Sequence, residues 1–209
     1  MWARRTFKRY NQTIDDMPGT GAELAEHLIE RYKLDVTVEQ AGAEGDHYDP
    51  TSKTVRLSEQ FFNTKSLSAI AVAAHEVGHA IQHHRNETML NTRTKLARLA
   101  LYAQKFGTVV IMAMPFVTAI TKAPASGLLM TAIFLLSMGM AVIVNLITLP
   151  VEIDASFGKA LPILIEGQYV HEDDLPAVRK VLKAAAYTYV AASLASLLNL
   201  WRWIAILRR

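Results

Sequence analysis

Two histidines four residues apart enclose a glutamate in the run His75-Glu76-Val77-Gly78-His79. On a helix this spacing puts both imidazoles on one face, one turn apart, where they can share a single Zn²⁺ with Glu76 beside them. The chemistry such a set serves is hydrolysis of an amide bond. The metal acidifies a water and polarises the scissile carbonyl, while the carboxylate takes the proton and returns it to the leaving amine. Two imidazoles leave a catalytic zinc one protein ligand short. Gln82 and Arg85 stand where a metzincin carries Gly and His, so that pattern fails. Glu87 lies two turns beyond His79 along what reads as the same helix, about 12 Å away by helical rise, which is too far. No Asp or Glu occurs from Thr88 to Val151. Glu152 comes next and is the expected third ligand. Asp154 competes for that role, and its other reading is a carboxylate that holds the free ring nitrogen of a ligand histidine.

Other polar residues receive lesser parts. His47, Tyr48 and Tyr189 are candidate donors to the oxyanion. His83 continues the four-residue series but lies two turns from His75, and it reads as packing or support; His84, His27 and His171 read as surface. Gly78 weakens a helix relative to Ala, and its expected use is close backbone approach beside the metal.

Elements must place these residues. Thr20-Gly21-Ala22-Glu23 reads as a capping box opening an amphipathic helix that ends near Lys33. Residues 36–39 alternate as a strand does, and residues 48–57 read as two short strands around a turn containing Pro50. One of these strands is a candidate edge for a bound peptide. The metal helix is expected to start at Ser66 or Ser68 as cap and to run to about His84. Pro150 suits the first turn of a new helix that would carry Glu152.

The rest of the chain is apolar. Of 209 residues 51% are hydrophobic and 20% charged, too apolar a balance for an ordinary soluble domain. Ser126 to Pro150 and Ala184 to Leu207 are each long enough to cross a hydrocarbon core of about 30 Å. Phe106 to Thr121, extended by the preceding Leu99–Tyr102 turn and containing Pro115, is expected as a third, tilted or kinked span. The fold expected is a mainly α-helical integral membrane protein with about three transmembrane helices and a small β-sheet. Its parts are residues 1–98 with the metal helix, a transmembrane hairpin over 99–150, a third-ligand segment over 151–183 and a C-terminal transmembrane helix over 184–209. Such a hairpin returns the chain to the side it left, so 1–98 and 151–183 build one site.

Charge and cysteine bound the setting. Nearly all Lys and Arg lie in residues 1–105 and 151–183, whereas the hairpin loop carries only Lys122; the positive-inside rule makes the two richer segments cytoplasmic. The net charge of +3 reflects this topology and not nucleic-acid binding. Without cysteine the metal is left to His and carboxylate ligands. The first twelve residues lack the apolar core of a cleavable signal peptide.

Several segments together resemble the YugP-type membrane zinc metallopeptidases over almost the full length. They are Asp46-His47-Tyr48-Asp49-Pro50, Val55-Arg56-Leu57-Ser58, residues 71–83 around the metal motif, Leu149-Pro150-Val151-Glu152 and residues 186–192. The resemblance implies a zincin-like α+β catalytic domain of gluzincin plan, with His75, His79 and Glu152 as zinc ligands and Glu76 as general base and acid. It also favours Glu152 over Asp154, because the family's glutamate follows the Leu-Pro-Val turn. The implied partners are a peptide or membrane-protein substrate and the lipid bilayer of a bacterial-type cytoplasmic membrane. The competing expectation is a catalytically silent metal-binding scaffold or adaptor, against which the presence of Glu76 argues.

Overall fold

The structure is a computed structural model and describes residues 2–207. It is mainly helical with one small sheet, and it divides into two compact units, Met1–Leu90 with Pro150–Thr188 and Asn91–Leu149 with Tyr189–Arg209.

In the first unit α1 (Trp2–Arg9) turns one face inward, setting Phe7 edge-on to Phe61 at 6.0 Å. The next helix, α2 (Gly21–Arg31), begins at the expected capping box: Thr20 N–H donates to Glu23 Oε2 at 2.7 Å and Glu23 N–H to Thr20 Oγ1 at 3.3 Å. Such a cap contributes about 1 kcal/mol by satisfying backbone donors that the first turn leaves orphaned. Leu24 and Leu28, four apart, then fall on the buried stripe.

Strands β1 (Thr37–Gln40), β2 (His47–Asp49) and β3 (Thr54–Leu57) form a sheet in the order β1-β3-β2. β1 runs parallel to β3 and β2 antiparallel to it, with Val38 and Tyr48 both opposite Val55. Side chains alternate across a strand, so Val55 and Leu57 enter the core while Arg56 stands on the other face with Glu39 (3.3 Å) and Asp49 (3.2 Å). After the short α3 (Glu59–Phe62), α4 (Leu67–His84) starts at Ser66, whose Oγ accepts from the Ala69 N–H at 3.1 Å. Its Ala-rich sequence is apolar on every side, as suits a helix surrounded by protein, and all but three of its 18 residues are buried. Phe61, Leu57, Leu28, Leu164 and Leu182 fill the space around it, each contributing roughly 1.5–3 kcal/mol by leaving water.

The apolar part is built differently. Helices α5 (Thr88–Thr121, 34 residues) and α6 (Pro124–Ile153, 30 residues) are joined by Lys122 and Ala123, with Lys122 at φ 50°. A Cβ on Gly107 would meet Ser137 Oγ, so the two helices approach most closely where a glycine faces a small residue. Ile120 is 81% exposed and Leu136 73%, with Phe116 and Leu128 similarly turned outward. Among the described residues two helical runs, Thr88–Thr121 and Pro124–Glu166, are long and apolar enough to cross a membrane.

Three expectations need correction. Pro150 opens no helix: α6 runs through it to Ile153 and passes into a π-helical segment, Asp154–Ala160, then α7 (Leu161–Glu166). The first apolar helix starts at Thr88 and not near Phe106, because Arg93, Lys95, Arg98 and Lys105 interrupt the hydropathy without interrupting the coil. The run expected to cross from Ala184 is split at Tyr187. Its first residues belong to α8 (Leu175–Ala186), where Ala184 and Ala186 are fully buried, and the remainder forms the 20-residue α9 (Thr188–Leu207). Arg208 and Arg209 lie outside the described residues.

Candidate metal centre

The metal helix and the stretch that follows α6 meet at a glycine. A Cβ on Gly78 would lie 2.8 Å from the carbonyl oxygen of Ala155, a backbone atom that cannot move aside, so only glycine permits this approach. Gly78 stands between His75 and His79, and Ala155 between Glu152 and Ser156; the crossing brings the chemical residues of both elements together. The π-helical geometry belongs to the same contact, with the Leu161 N–H reaching back five residues to the Ser156 carbonyl. Such widened turns recur at functional sites.

At this crossing the Nε2 atoms of His75 and His79 each lie 3.2 Å from one oxygen, Glu152 Oε2. The three side chains form the one such His/carboxylate cluster among the described residues, with ligand atoms all within 4.8 Å of one another. Glu152 is 2% exposed. A tetrahedral ion with ligands at about 2.0–2.2 Å separates its donors by roughly 3.3 Å, so the observed spacing suits zinc.

Neighbours fix the two rings. Gln82 donates its amide to the Val151 carbonyl (3.0 Å) and to Asp154 Oδ2 (2.8 Å), both acceptors only, and this turns its Oε1 to His79 Nδ1 at 2.9 Å. His79 therefore carries its proton on Nδ1. Ser156 donates its hydroxyl to the Leu182 carbonyl at 3.2 Å, leaving a lone pair to accept from His75 Nδ1 at 2.9 Å. Each Nε2 is left to face Glu152 Oε2, as an N–H donor when protonated and with its lone pair free for a cation when not.

The electrostatics are those of a buried charge cluster. Burial disfavours a charged His79 ring, but the Glu152 carboxylate outweighs it and raises the pKa to about 9. Burial likewise works against an ionised Glu152, and the two imidazoles overcome it and hold the carboxyl below its usual range. Glu76 is 7% exposed and makes no hydrogen bond among the described residues. Its pKa is raised, chiefly by burial, against the opposing attraction of His75 and His79.

Other candidates fall elsewhere. Asp154 touches neither ring; it accepts from Gln82 and from Lys159 Nζ at 2.7 Å, so the expected carboxylate–histidine contact runs through the Gln82 amide instead. Glu87 is not on the metal helix, which ends at His84 and turns at Asn86 (φ 52°); it pairs with Lys159 at 3.1 Å. Tyr48 is hydrogen-bonded to His83 Nδ1 at 2.8 Å, and burial pushes its hydroxyl pKa up to about 12. His47 Nδ1 lies 2.9 Å from the Gly45 carbonyl. The Tyr189 side chain lies outside the described residues. Gln82, Ser156 and Lys159 were not singled out by sequence reasoning, although Gln82 follows His79 by three residues and Ser156 follows Glu152 by four, the spacings that share a helix face.

Over residues 1–208 the chain matches a protein family described as "Putative neutral zinc metallopeptidase". It is 37% identical over 210 residues to the "Putative membrane protease YugP" of Bacillus subtilis (strain 168), an alignment covering 97% of this chain and 87% of that protein. No solved structure matches it.

Proposed function

The chain belongs to that family, and from this premise we propose that it is a zinc-dependent membrane endopeptidase that hydrolyses peptide bonds. The observation that carries the reading is the convergence of His75 Nε2 and His79 Nε2 on Glu152 Oε2 with both Nδ1 atoms already held. His75, His79 and Glu152 would hold the zinc. When bound, the ion supplies Lewis acidity that lowers the pKa of a water and polarises a carbonyl.

The remaining work falls to this chain's own side chains. Glu76 accepts the proton of the attacking water and delivers it to the leaving amine. A buried carboxylate beside the two histidines, with its proton affinity raised by burial, suits both halves of that cycle. Gln82 and Ser156 keep the two rings in the tautomer that presents Nε2. A scaffold that merely bound metal would have no use for a buried Glu76 that makes no hydrogen bond among the described residues.

The exposed apolar faces of α5 and α6 support two spans, and α9, at about 30 Å of helical rise, is proposed as the third. The distribution of Lys and Arg supports placing the catalytic part on the cytoplasmic side of a bacterial-type membrane. Membrane or unfolded proteins are the proposed substrates. Cleavage of an unfolded protein by detergent-purified chain tests the reading: Glu76→Gln is expected to lose activity on the order of a thousandfold while keeping its zinc. Equal activity in Glu76→Gln would remove Glu76 from the mechanism, and zinc-loaded native chain inert on every peptide and membrane substrate tried would leave the scaffold reading.

A further inference from the structure

Lys159 sits where the apolar hairpin is rooted. Glu87 is the residue immediately before α5 and Asp154 the residue immediately after α6, and the Lys159 ammonium pairs with both, at 3.1 and 2.7 Å. The Lys159 side chain is 12% exposed while Glu87 and Asp154 are 30% and 38% exposed, so the lysine end of both pairs is shielded and the carboxylate ends meet solvent. The same Asp154 oxygen that receives Lys159 also receives the Gln82 amide, and Gln82 in turn holds His79 Nδ1. Every link is a donor meeting an acceptor, and none can be reversed. Lys159 can only donate, Asp154 paired with it only accepts, and the Gln82 amide is thereby oriented with its oxygen towards the ring.

We infer that Glu87, Lys159, Asp154 and Gln82 form one positioning chain that ties the base of the hairpin to the orientation of His79, so that zinc is gripped tightly only while this base is clamped. Gln82 is the positioning residue in contact with the ring. Lys159 acts through Asp154, and Asp154 is an anchor and not a metal ligand. The inference rests on the zinc reading above and adds to it the coupling between the ends of α5 and α6 and the metal site. Its physical content is tautomer and ring orientation. Without the Gln82 oxygen the Nδ1–H loses its acceptor, and the ring is free to rotate or to move its proton to the nitrogen that should face the ion.

Zinc affinity, measured by competition with a chromophoric chelator on the full chain in detergent, tests it without reference to activity. Gln82→Leu is expected to weaken zinc on the order of 10- to 100-fold, the usual effect of losing such a partner. Asp154→Leu should weaken it in the same direction, whereas Asp154→Asn, which keeps an acceptor for the Gln82 amide, should restore affinity to within a few-fold of native. Lys159→Met should show a smaller loss that Lys159→Arg repairs. Imidazole ¹⁵N shifts should report loss of the single His79 tautomer in Gln82→Leu, a change that general loosening of the fold would not confine to one ring. Native affinity in Gln82→Leu, or in Asp154→Leu should the former not fold, would overturn the inference. A loss in Asp154→Asn as large as in Asp154→Leu would also overturn it, by making Asp154 a ligand. Glu152→Ala separates the two readings: zinc unaffected by Glu152→Ala defeats the metal centre itself, whereas zinc lost there but kept in Gln82→Leu defeats the positioning chain alone.

Discussion

Helices α4 and α6 are both apolar along most of their length, yet one is hidden and the other displayed. On α4 the buried residues include Ala73, Val77, His75 and Glu76; on α6 Leu128, Leu129, Leu136 and Leu146 are all more than half exposed. Apolar sequence alone does not separate a core helix from a span. What separates them is side-chain size and what the polar residues do. α4 is built of alanines that let other elements close around it, and His75, His79 and Gln82 turn their polar atoms to Ser156, Glu152 and Asp154. α6 carries large side chains facing outward and almost no titratable group until Glu152, where the chain re-enters the packed unit. Burial of polar chemistry and exposure of apolar bulk are opposite solutions, suited to a protein interior and to lipid respectively.

The contrast is open to attack by substitution. Ala73→Asp, placing a carboxylate at a fully buried site, should cost about 4 kcal/mol or more and abolish the folded unit around α4, read as loss of the thermal transition in detergent. Leu136→Lys, at an exposed position near the middle of α6, would be nearly neutral in water, but should cost about 3 kcal/mol if that surface meets lipid. Insertion into microsomal membranes checks it, and undiminished insertion would break the comparison. Two glycines give the next contrast. Gly78→Ala drives a methyl against the Ala155 backbone and should cost about 1–3 kcal/mol together with zinc affinity, whereas Gly139 has open space around its would-be Cβ, and Gly139→Ala should stabilise α6 by up to about 1 kcal/mol. Thermal melts of the pair should move in opposite directions.

Proton linkage gives a graded effect confined to the first region. In zinc-stripped protein the His79 pKa is raised from 6.5 to about 9 despite burial, because Glu152 faces it. The stability from that pairing is therefore fully present below about pH 6.5 and is lost as pH rises through about 9. Zinc must displace this proton, so its apparent affinity should rise about tenfold per pH unit between those limits and level off above. A flat profile from pH 6.5 to 9 in chelator titrations would show that His79 is not charged in the stripped site.

Much of this was legible from residues alone, and the parts that were not share a cause. Ser66, the His75–His79 spacing and the Thr20 box announce themselves because helix caps and ligand pairs act within one or two turns. Glu152 was reachable as well, since a stretch without acids isolates it. The continuation of α6 through Pro150 was not, because a charged residue after an apolar run normally marks an exit to water. Here Glu152 meets histidines 73 and 77 residues away in sequence instead of water, and the helix continues into the packed unit. Gln82 and Ser156 escaped notice for the same reason. A Gln on the far side of a motif reads as surface until Asp154 and Val151 are seen against it. Asp154 was placed one bond too close to the metal, since spacing conveys neighbourhood and not which atom intervenes.

His75, His79 and Glu152, from two distant segments, are proposed to hold one zinc ion. Zinc stoichiometry of the purified chain, measured for native, Glu76→Gln and Glu152→Ala, tests it most directly. One zinc per chain is expected in the first two, and little or none in Glu152→Ala with its fold intact. Full zinc occupancy in Glu152→Ala, or no zinc in the native chain under any loading condition, would contradict it.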